Sequence, residues 1–315
     1  MRKFNYVDAA TIEDAASALS GGGALAIAGG TDLLCVLKDD ILPDYPETLV
    51  NLKRIPGLDH IREEDGMLRI GALARIADIA GSAVIRERYT ALAEAAGRVG
   101  SPQLRDMGTI GGNICQLPRC WYYRCPGNRF HCARKGGETC NAAKGEGRYH
   151  SVFGGVNGCF AVNASDLAPA LVSLGATVRT SSRSLGIEDF FSAGDNKTTV
   201  LSAGEIVTEV LIPVPASGTK SAFTKYAQRK SIDFPIVNCA AVISGGGARI
   251  CLNAVYATPY RAKAAEGAIA GKPINEANAE AAGEEAVSGA KALELSRYKV
   301  EIAKAMVKRA IMACV

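Results

Sequence analysis

Segments with strand-like and helix-like hydrophobic patterns alternate over the first 115 residues. Thr11 can cap an Ala-rich helix, and a glycine turn at 21–23 leads into an apolar strand over 24–28. Further elements are predicted at 47–52 (strand), at 60–61 and 67–70 (a hairpin around Glu64-Asp65-Gly66) and at about 90–99 (helix). Such a mixture is typical of a domain in which helices pack on a sheet.

The pattern stops over 115–158 and then returns. That segment is rich in Cys, Arg, Gly and Tyr and has a period of neither 2 nor 3.6, so it is predicted to be a loop insertion. Because it offers little apolar surface, something other than a hydrophobic core must hold it. Regular structure resumes with a capped helix over 165–174 and a strand over 176–180.

Beyond Pro213 the pattern becomes that of a separate α+β unit. The predicted strands are 221–230, 237–244 and 248–257, the last two joined across Gly245-Gly246-Gly247, and the predicted helices are about 260–270, 275–288 and 297–313. The chain is therefore predicted to be α+β, with a domain boundary near residue 215.

Composition narrows the class of protein. The chain is 48% hydrophobic and 22% charged, which excludes whole-chain disorder. Its 36 basic and 32 acidic residues leave a formal charge of +4, too small to indicate nucleic-acid binding. No apolar run reaches the roughly 18 to 20 residues that span a bilayer. The N-terminus lacks the apolar stretch of a signal peptide, so a cytoplasmic location is predicted.

The ten cysteines are unevenly placed. Four are scattered and are predicted to be buried structural thiols: Cys35, Cys239, Cys251 and Cys314. Six lie within the insertion or at its ends: Cys115, Cys120, Cys125, Cys132, Cys140 and Cys159. In a cytoplasmic chain, such a cluster favours metal or redox chemistry over disulfides.

Two glycine loops follow predicted strands or turns. The first is Gly29-Gly30-Thr31-Asp32, and the second is Thr109-Ile110-Gly111-Gly112-Asn113. Adjacent glycines permit positive φ and close approach of the backbone, so successive N–H groups can bind an anion. Neither loop is a GxGxxG or Walker A motif, and each taken alone could be an ordinary turn at the end of a strand.

Longer motifs carry a resemblance to a known family. They are AGGTDLL at 28–34, IGAL at 70–73, TIGGNI at 109–114, SDLAPAL at 165–171, GEIV at 204–207, KYAQRK at 225–230 and RYKV at 297–300. In this order they resemble the flavin-binding (medium) subunit of the xanthine dehydrogenase and carbon monoxide dehydrogenase class of molybdenum hydroxylases. The resemblance implies a two-lobed, PCMH/VAO-type FAD-binding domain, with lobes at 1–55 and 56–214, followed by a smaller α+β domain at 215–315. The insertion, at about 115–160, would belong to the second lobe.

The resemblance also implies which residues bind FAD. The first loop and the second loop would face the phosphates, while Asp166 and Lys225 would lie at the flavin or its ribityl end. The implied cofactor-binding residues are Ala28, Gly29, Gly30, Thr31, Asp32, Leu33, Gly71, Thr109, Gly111, Gly112, Asn113, Asp166, Val207 and Lys225. Two alternatives stay open, because Asp166 could serve a helix dipole and Lys225 could be a solvated strand lysine.

The cysteine-rich insertion resembles that of a subset of this family. Most members join TIGGNI to the Ser-Asp helix by a short link, whereas about 50 residues intervene here. The flavin subunits of 4-hydroxybenzoyl-CoA reductases and periplasmic aldehyde oxidoreductases have such an insertion and carry a [4Fe–4S] cluster on it. The implied ligands are Cys120, Cys132, Cys140 and Cys159, with Cys115 and Cys125 as non-ligands. Cys125 is the main rival of Cys120.

Physical chemistry supports a metal site and leaves alternatives. A cubane requires four thiolates, and a loop without a core requires a cross-link. Six basic residues of the insertion could offset the negative charge of a cluster: Arg119, Arg124, Arg129, Arg134, Lys135 and Lys144. A Cys₄ zinc site usually has two close cysteine pairs, unlike spacings of 12, 8 and 19 residues. Disulfides or inert thiols are the other possibilities, and His131 and His150 are not expected to be ligands.

The resemblance implies an electron-transfer subunit rather than the site of substrate chemistry. Its partners would be a large molybdopterin-binding subunit and a small subunit with two [2Fe–2S] clusters. FAD and the [4Fe–4S] cluster would pass electrons to or from an external partner such as ferredoxin or NAD. The alternatives are a stand-alone FAD oxidoreductase of related fold and a metal-stapled interaction module. The organic substrate lies on another chain and cannot be identified from this one.

Overall fold

A computed structural model describes residues 1–194, 197–245 and 247–315. The first unit is a three-stranded parallel sheet of β1 (Asn5–Asp8), β2 (Ala24–Ile27) and β3 (Thr48–Asn51) in the order β1-β3-β2. Helix α1 (Ile12–Ser20) joins β1 to β2, and α2 (Leu33–Lys38) follows β2. The Thr11 hydroxyl oxygen accepts a hydrogen bond from the Asp14 N–H at 3.0 Å, as an N-cap does.

The second unit is built on an antiparallel sheet of five strands. The strands are β4 (Ile61–Glu64), β5 (Met67–Gly71), β6 (Thr177–Thr180), β7 (Ser184–Gly186) and β8 (Val207–Pro213), in the order β4-β5-β8-β6-β7. Its helices are α3 (Ile76–Gly81), α4 (Ala83–Arg88), α5 (Thr90–Gly97), α6 (Pro102–Met107), α7 (Ile110–Ile114), α8 (Asn141–Lys144), α9 (Leu167–Ser173) and α10 (Ile187–Phe190). The insertion between α7 and α9 contains only α8 and two 3₁₀ turns as helical structure.

The C-terminal unit is an antiparallel sheet with helices on one face. The sheet order is β12-β11-β10-β9, and the strands are β9 (Lys220–Tyr226), β10 (Val237–Ser244), β11 (Gly247–Asn253) and β12 (Tyr260–Arg261). The helices are α11 (Lys263–Ile269), α12 (Glu276–Ala286) and α13 (Tyr298–Met312).

Strand β10 connects the two large cores. Ala240 and Val242 pack into the core that contains α5 and α9, whereas Cys239 and Ala241 pack into the core beneath α11–α13. Because successive side chains of a strand point to opposite faces, one apolar strand serves both cores. The C-terminal unit therefore packs directly on the helices of the second unit.

Most predicted elements are present, and the differences have physical reasons. The predicted helix at 260–270 begins only at Lys263, because Tyr260 and Arg261 pair with β11 as an edge strand. TIGGNI lies in the short helix α7 rather than in an open loop, and the six-residue helices α2, α3, α4 and α6 are too short to show a period. The predicted turn at Gly246 lies outside the residues described.

The cysteine predictions are confirmed in part. Cys239, Cys251 and Cys314 are buried, but Cys35 is exposed, so its assignment as a buried thiol was wrong. Cys35 lies on α2 one position before the buried Val36 and Leu37, and its side chain lines the large cleft of the molecule. Across the described ranges, no helix has both the length and the apolar character needed to cross a bilayer.

Glu209 ties three neighbouring segments of the five-stranded sheet together. Its carboxylate is buried and accepts hydrogen bonds from Arg69 at 2.8 Å, His60 at 2.8 Å and Arg179 at 3.0 Å. Burial alone would raise the pKa of Glu209, but the hydrogen bonds from Arg69 and His60 outweigh it and the pKa lies below its usual value. The charged form is thus the one that the fold stabilises.

We expect Glu209→Gln to lower the free energy of unfolding by about 2 kcal/mol at pH 7, because three donors lose their shared charged acceptor. The depressed pKa means that the contribution of Glu209 is present at neutral pH and is lost as the pH falls through the folded-state pKa. Urea unfolding at pH 7 and at pH 4 measures both effects. Glu280→Gln is the control, because Glu280 is exposed and its pair with Lys308 at 3.0 Å, away from Glu209, contributes below about 0.5 kcal/mol. Equal losses in both variants would contradict this account.

Candidate cofactor-binding site

The two glycine loops line one cleft. The first loop follows β2, and the second begins helix α7. The cleft has a volume of about 480 Å³ and continues to the segment around Phe234 in the C-terminal unit. Its walls combine glycine backbone with apolar side chains, a composition that suits a large ligand with a charged centre.

Gly29 is required by a close backbone contact. A Cβ atom at this position would lie 1.9 Å from the carbonyl oxygen of Met107, so no side chain can be accommodated without displacing the chain. Gly30 has φ +71°, in the region that favours glycine. Together these two residues allow the first loop to pack directly against the segment that leads into the second loop.

The second loop is a capped helix start. The Thr109 hydroxyl oxygen accepts a hydrogen bond from the Gly112 N–H at 3.2 Å. Gly111 donates its N–H to the Ala72 carbonyl at 2.9 Å, and a Cβ there would lie 2.9 Å from the same oxygen. Asn113 accepts a hydrogen bond from the Ser165 hydroxyl at 2.5 Å, which joins this loop to the start of α9.

Asp166 lines the cleft and is held by the C-terminal unit. Its carboxylate accepts hydrogen bonds from Lys225 Nζ at 2.6 Å and from Asn238 Nδ2 at 2.8 Å. Lys225 also donates to the Arg98 carbonyl at 2.9 Å, and its side chain is 4% exposed, so it is not a solvated strand lysine. Burial raises the pKa of Asp166, and the ammonium of Lys225 opposes that shift.

The cleft brings together most of the predicted FAD-binding residues. Those on its walls are Ala28, Gly29, Gly30, Thr31, Asp32, Leu33, Thr109, Gly112, Asn113 and Asp166. Four others lie behind the walls. Gly71 packs against the Leu58 carbonyl, Gly111 packs against Ala72, Val207 is part of the core, and Lys225 supports Asp166.

Several wall residues were not predicted. They come from the turn before α6, from α6 itself and from the loop between β9 and β10: Val99, Gly100, Leu104, Ile232 and Phe234. Ile232 has φ +67°, rare for a β-branched residue, and its N–H donates to the Gly100 carbonyl at 3.1 Å. Of these segments, only the turn at Gly100-Ser101-Pro102 has a sequence pattern that predicts its local structure.

Asp32 joins the first glycine loop to the insertion. One carboxylate oxygen lies 2.8 Å from Arg119 and 2.7 Å from Arg124, and the other accepts the Leu117 N–H at 2.9 Å. Burial lowers the pKa of Arg119 to about 10, although the Asp32 carboxylate opposes that shift. The side chain of Asp32 thus faces the insertion, and its part in anion binding would come from the backbone.

The four predicted cysteine ligands line a single small cavity inside the insertion. Cys120, Cys132, Cys140 and Cys159 surround it together with small and aromatic side chains. Cys115 lines the cleft instead, and Cys125 is not among the residues of the cavity wall. Burial raises the pKa of the Cys120 thiol to about 12 and also raises that of Cys159.

Nitrogen donors surround this cavity. Arg134 and Lys135 are buried, and Lys135 Nζ lies 5.0 Å from the centre of the Tyr123 ring. His150 is 4% exposed, and its Nε2 lies 3.2 Å from Cys120 Sγ. Burial and the neighbouring Lys299 lower the pKa of His150 to about 4, so the imidazole is neutral at pH 7. His131, by contrast, is exposed.

A third cavity lies between the cleft and the cysteine cavity. It has a volume of about 270 Å³. It shares Arg119, Ala164 and Phe234 with the cleft, and Cys120 and Ala161 with the cysteine cavity. The two candidate cofactor sites are therefore neighbours, because Arg119 and Cys120 are consecutive in the chain.

Comparisons with known proteins identify the family. Residues 2–215 match the model of the FAD-binding domain in molybdopterin dehydrogenases, and residues 222–314 match that of the C-terminal domain of CO dehydrogenase flavoproteins. The chain belongs to this family of FAD-binding medium subunits, which includes the xanthine and carbon monoxide dehydrogenases.

Individual relatives cover most of the chain. The aldehyde oxidoreductase FAD-binding subunit PaoB of Escherichia coli is 37% identical, over 84% of this chain and 86% of that protein. The nicotinate dehydrogenase FAD-subunit of Eubacterium barkeri is 29% identical, over 89% and 84%. The carbon monoxide dehydrogenase structure from Hydrogenophaga pseudoflava superimposes with a TM-score of 0.78 at 29% identity, over 99% of this chain and 97% of that one. The predicted family and fold class are confirmed.

We expect Gly29→Ala to reduce FAD affinity at least about tenfold, because the new methyl group must displace the Met107 carbonyl and with it the spacing of the two loops. FAD per chain, measured from absorbance after gel filtration, tests this. Gly21→Ala is the matched control, since a Cβ at that turn meets no atom within 4 Å. Full FAD content in Gly29→Ala, with an unchanged melting temperature, would contradict the assignment.

Proposed function

We propose that this chain is an electron-transfer subunit that carries FAD in the cleft and a [4Fe–4S] cluster in the cysteine cavity. It would act within a multi-subunit molybdenum hydroxylase. The observation that carries the proposal is the convergence of Cys120, Cys132, Cys140 and Cys159 on one cavity, one residue along the chain from the wall of the cleft.

The residues of the cleft fit an extended dinucleotide. Glycine backbone at both loops would face the diphosphate, and the side chains near Asp166 would face the flavin end. When bound, FAD exchanges electrons in steps of one or two, so it can connect one-electron and two-electron partners. The protein orients the cofactor through the loops and holds Asp166 in place through Lys225 and Asn238.

The donor set favours a cluster over a single zinc ion. In the part of the chain that is described, no three or more His, Cys, Asp or Glu side chains are arranged to hold one metal ion. Zinc with Zn–S distances of about 2.3 Å would require four sulfurs in mutual contact. The four thiols line one cavity with buried basic residues beside it, and such residues offset the negative charge of a thiolate-bound cluster. A structural zinc site remains the alternative that metal analysis decides.

Relatives support the subunit role. PaoB is named as the FAD-binding subunit of an aldehyde oxidoreductase, and the Eubacterium barkeri protein as the FAD-subunit of a nicotinate dehydrogenase. We therefore propose a large molybdopterin-binding subunit and a small subunit with two [2Fe–2S] clusters as partners, and ferredoxin or NAD as the external partner. The match over residues 222–314 favours this over a stand-alone FAD oxidoreductase. A cytoplasmic location stays a prediction from the sequence.

Single Cys→Ser changes test the ligand set. We expect serine at 120, 132, 140 or 159 to lower bound iron from about four atoms per chain towards zero, because each removes one thiolate of the cubane. Cys125→Ser and Cys115→Ser are matched controls within the same region and should keep about four irons. Iron and acid-labile sulfide on anaerobically purified chain give the result. Loss of iron in Cys125→Ser but not in Cys120→Ser would show that Cys125, and not Cys120, is the fourth ligand.

The electron route is tested in the assembled complex. In a complex that carries Cys132→Ser, we expect substrate to reduce the flavin as in the wild type, because the cleft is intact. Reoxidation by a one-electron protein acceptor should slow if the cluster is the exit. Stopped-flow absorbance separates the two phases. Unchanged reoxidation in a complex without the cluster would show that electrons leave from the flavin.

A further inference from the structure

The strongest observation that the proposed function does not use is the contact between His150 and Cys120. The imidazole Nε2 lies 3.2 Å from the sulfur, and the ring is almost completely buried. The other ring nitrogen, Nδ1, has no hydrogen-bond partner among the residues described. A buried histidine aimed at a thiol, with its second nitrogen unpaired, is not explained by packing alone.

The hydrogen-bonding partners of the two ring nitrogens of His150 determine which nitrogen carries the proton. A neutral imidazole has one donor and one acceptor nitrogen, and a metal-bound thiolate can only accept. Only the tautomer with hydrogen on Nε2 can bond to Cys120 in that state, which leaves Nδ1 as the unpaired acceptor. The opposite tautomer would direct the lone pair of Nε2 at the lone pairs of the thiolate, an unfavourable contact.

Lys299 fixes the position of this histidine from the opposite end of the chain. It lies in α13, is fully buried, and donates to the carbonyls of His150 at 3.0 Å, Tyr149 at 3.3 Å and Ala254 at 2.5 Å. Ser296 adds a hydrogen bond to the Ser151 carbonyl at 3.1 Å. These hydrogen bonds from the C-terminal unit fix the backbone on both sides of His150 and therefore hold its ring against the sulfur.

The sulfur of Cys120, one of the four proposed ligands, is the atom that His150 Nε2 faces. Hydrogen bonds to ligand sulfurs stabilise the more negative, reduced state of an iron–sulfur cluster and raise its reduction potential. His150 also lines the cavity between the cluster site and the FAD cleft.

We propose that His150 is a positioning and potential-tuning residue: it donates an Nε2–H hydrogen bond to the Cys120 thiolate and raises the reduction potential of the cluster, with Lys299 holding it in place. This inference rests on the proposed cluster. On this account, the His150 side chain partly determines how readily the cluster accepts an electron from the flavin.

An EPR-monitored redox titration of the purified holoprotein tests the role of His150. His150→Leu removes the donor, His150→Gln keeps an N–H donor on a side chain of similar reach, and His131→Leu removes the exposed histidine of the same insertion as a matched control. We expect the cluster midpoint to move to more negative potential in His150→Leu, to lie closer to wild type in His150→Gln, and to stay at the wild-type value in His131→Leu.

The possible outcomes separate this inference from the proposed function. A His150→Leu protein with full iron and a wild-type midpoint would overturn the role of His150 and leave the cluster intact. If His150→Leu binds no iron, recovery of iron and of a near-wild-type midpoint in His150→Gln supports the donor role, and failure of both variants overturns it. A wild-type chain without iron and sulfide would overturn the cluster itself.

Discussion

The carboxylate of Asp32 is the contact on which both candidate cofactor sites depend. It lies in the first glycine loop, yet its oxygens pair with Arg119 and Arg124 and accept the Leu117 N–H at the start of the insertion. Two guanidinium groups share this one carboxylate, so its removal would leave partly buried charges without a counterion. The pairs thereby hold the wall of the FAD cleft and the residue before Cys120 in one arrangement.

The C-terminal unit completes both sites rather than merely covering them. Its strands supply Lys225 and Asn238, which hold Asp166 in the wall of the cleft. Its last helix supplies Lys299, which holds the backbone of His150 beside the cysteine cavity. Burial lowers the pKa of Lys299 to about 7, a cost that three carbonyl acceptors offset in part. The alternation of apolar residues along β10 keeps this unit fixed, because the same strand belongs to both cores.

The sequence predicted the family, the fold class and the main elements, since these depend on local patterns and contiguous motifs. Glycine pairs at 29–30 and 111–112 could be found because they are adjacent in the chain, although only the structure shows that Gly111 faces Ala72 rather than the cleft. Ile232 and Phe234 were missed because a loop of unremarkable composition reaches the cleft from another unit. The exposure of Cys35 was missed because its apolar neighbours on α2 suggested burial. The contact between His150 and Cys120 joins residues 30 positions apart in a segment without periodicity, so no pattern could predict it.

The central claim is that one chain holds a flavin and an iron–sulfur cluster side by side. The most direct test is to purify the chain anaerobically and to measure iron, zinc, acid-labile sulfide and FAD per chain. The account predicts about four irons, about four sulfides and about one FAD, with no zinc. One FAD with zinc and no sulfide would contradict it: the insertion would then be a structural staple, and the flavin would be the only redox centre on this subunit.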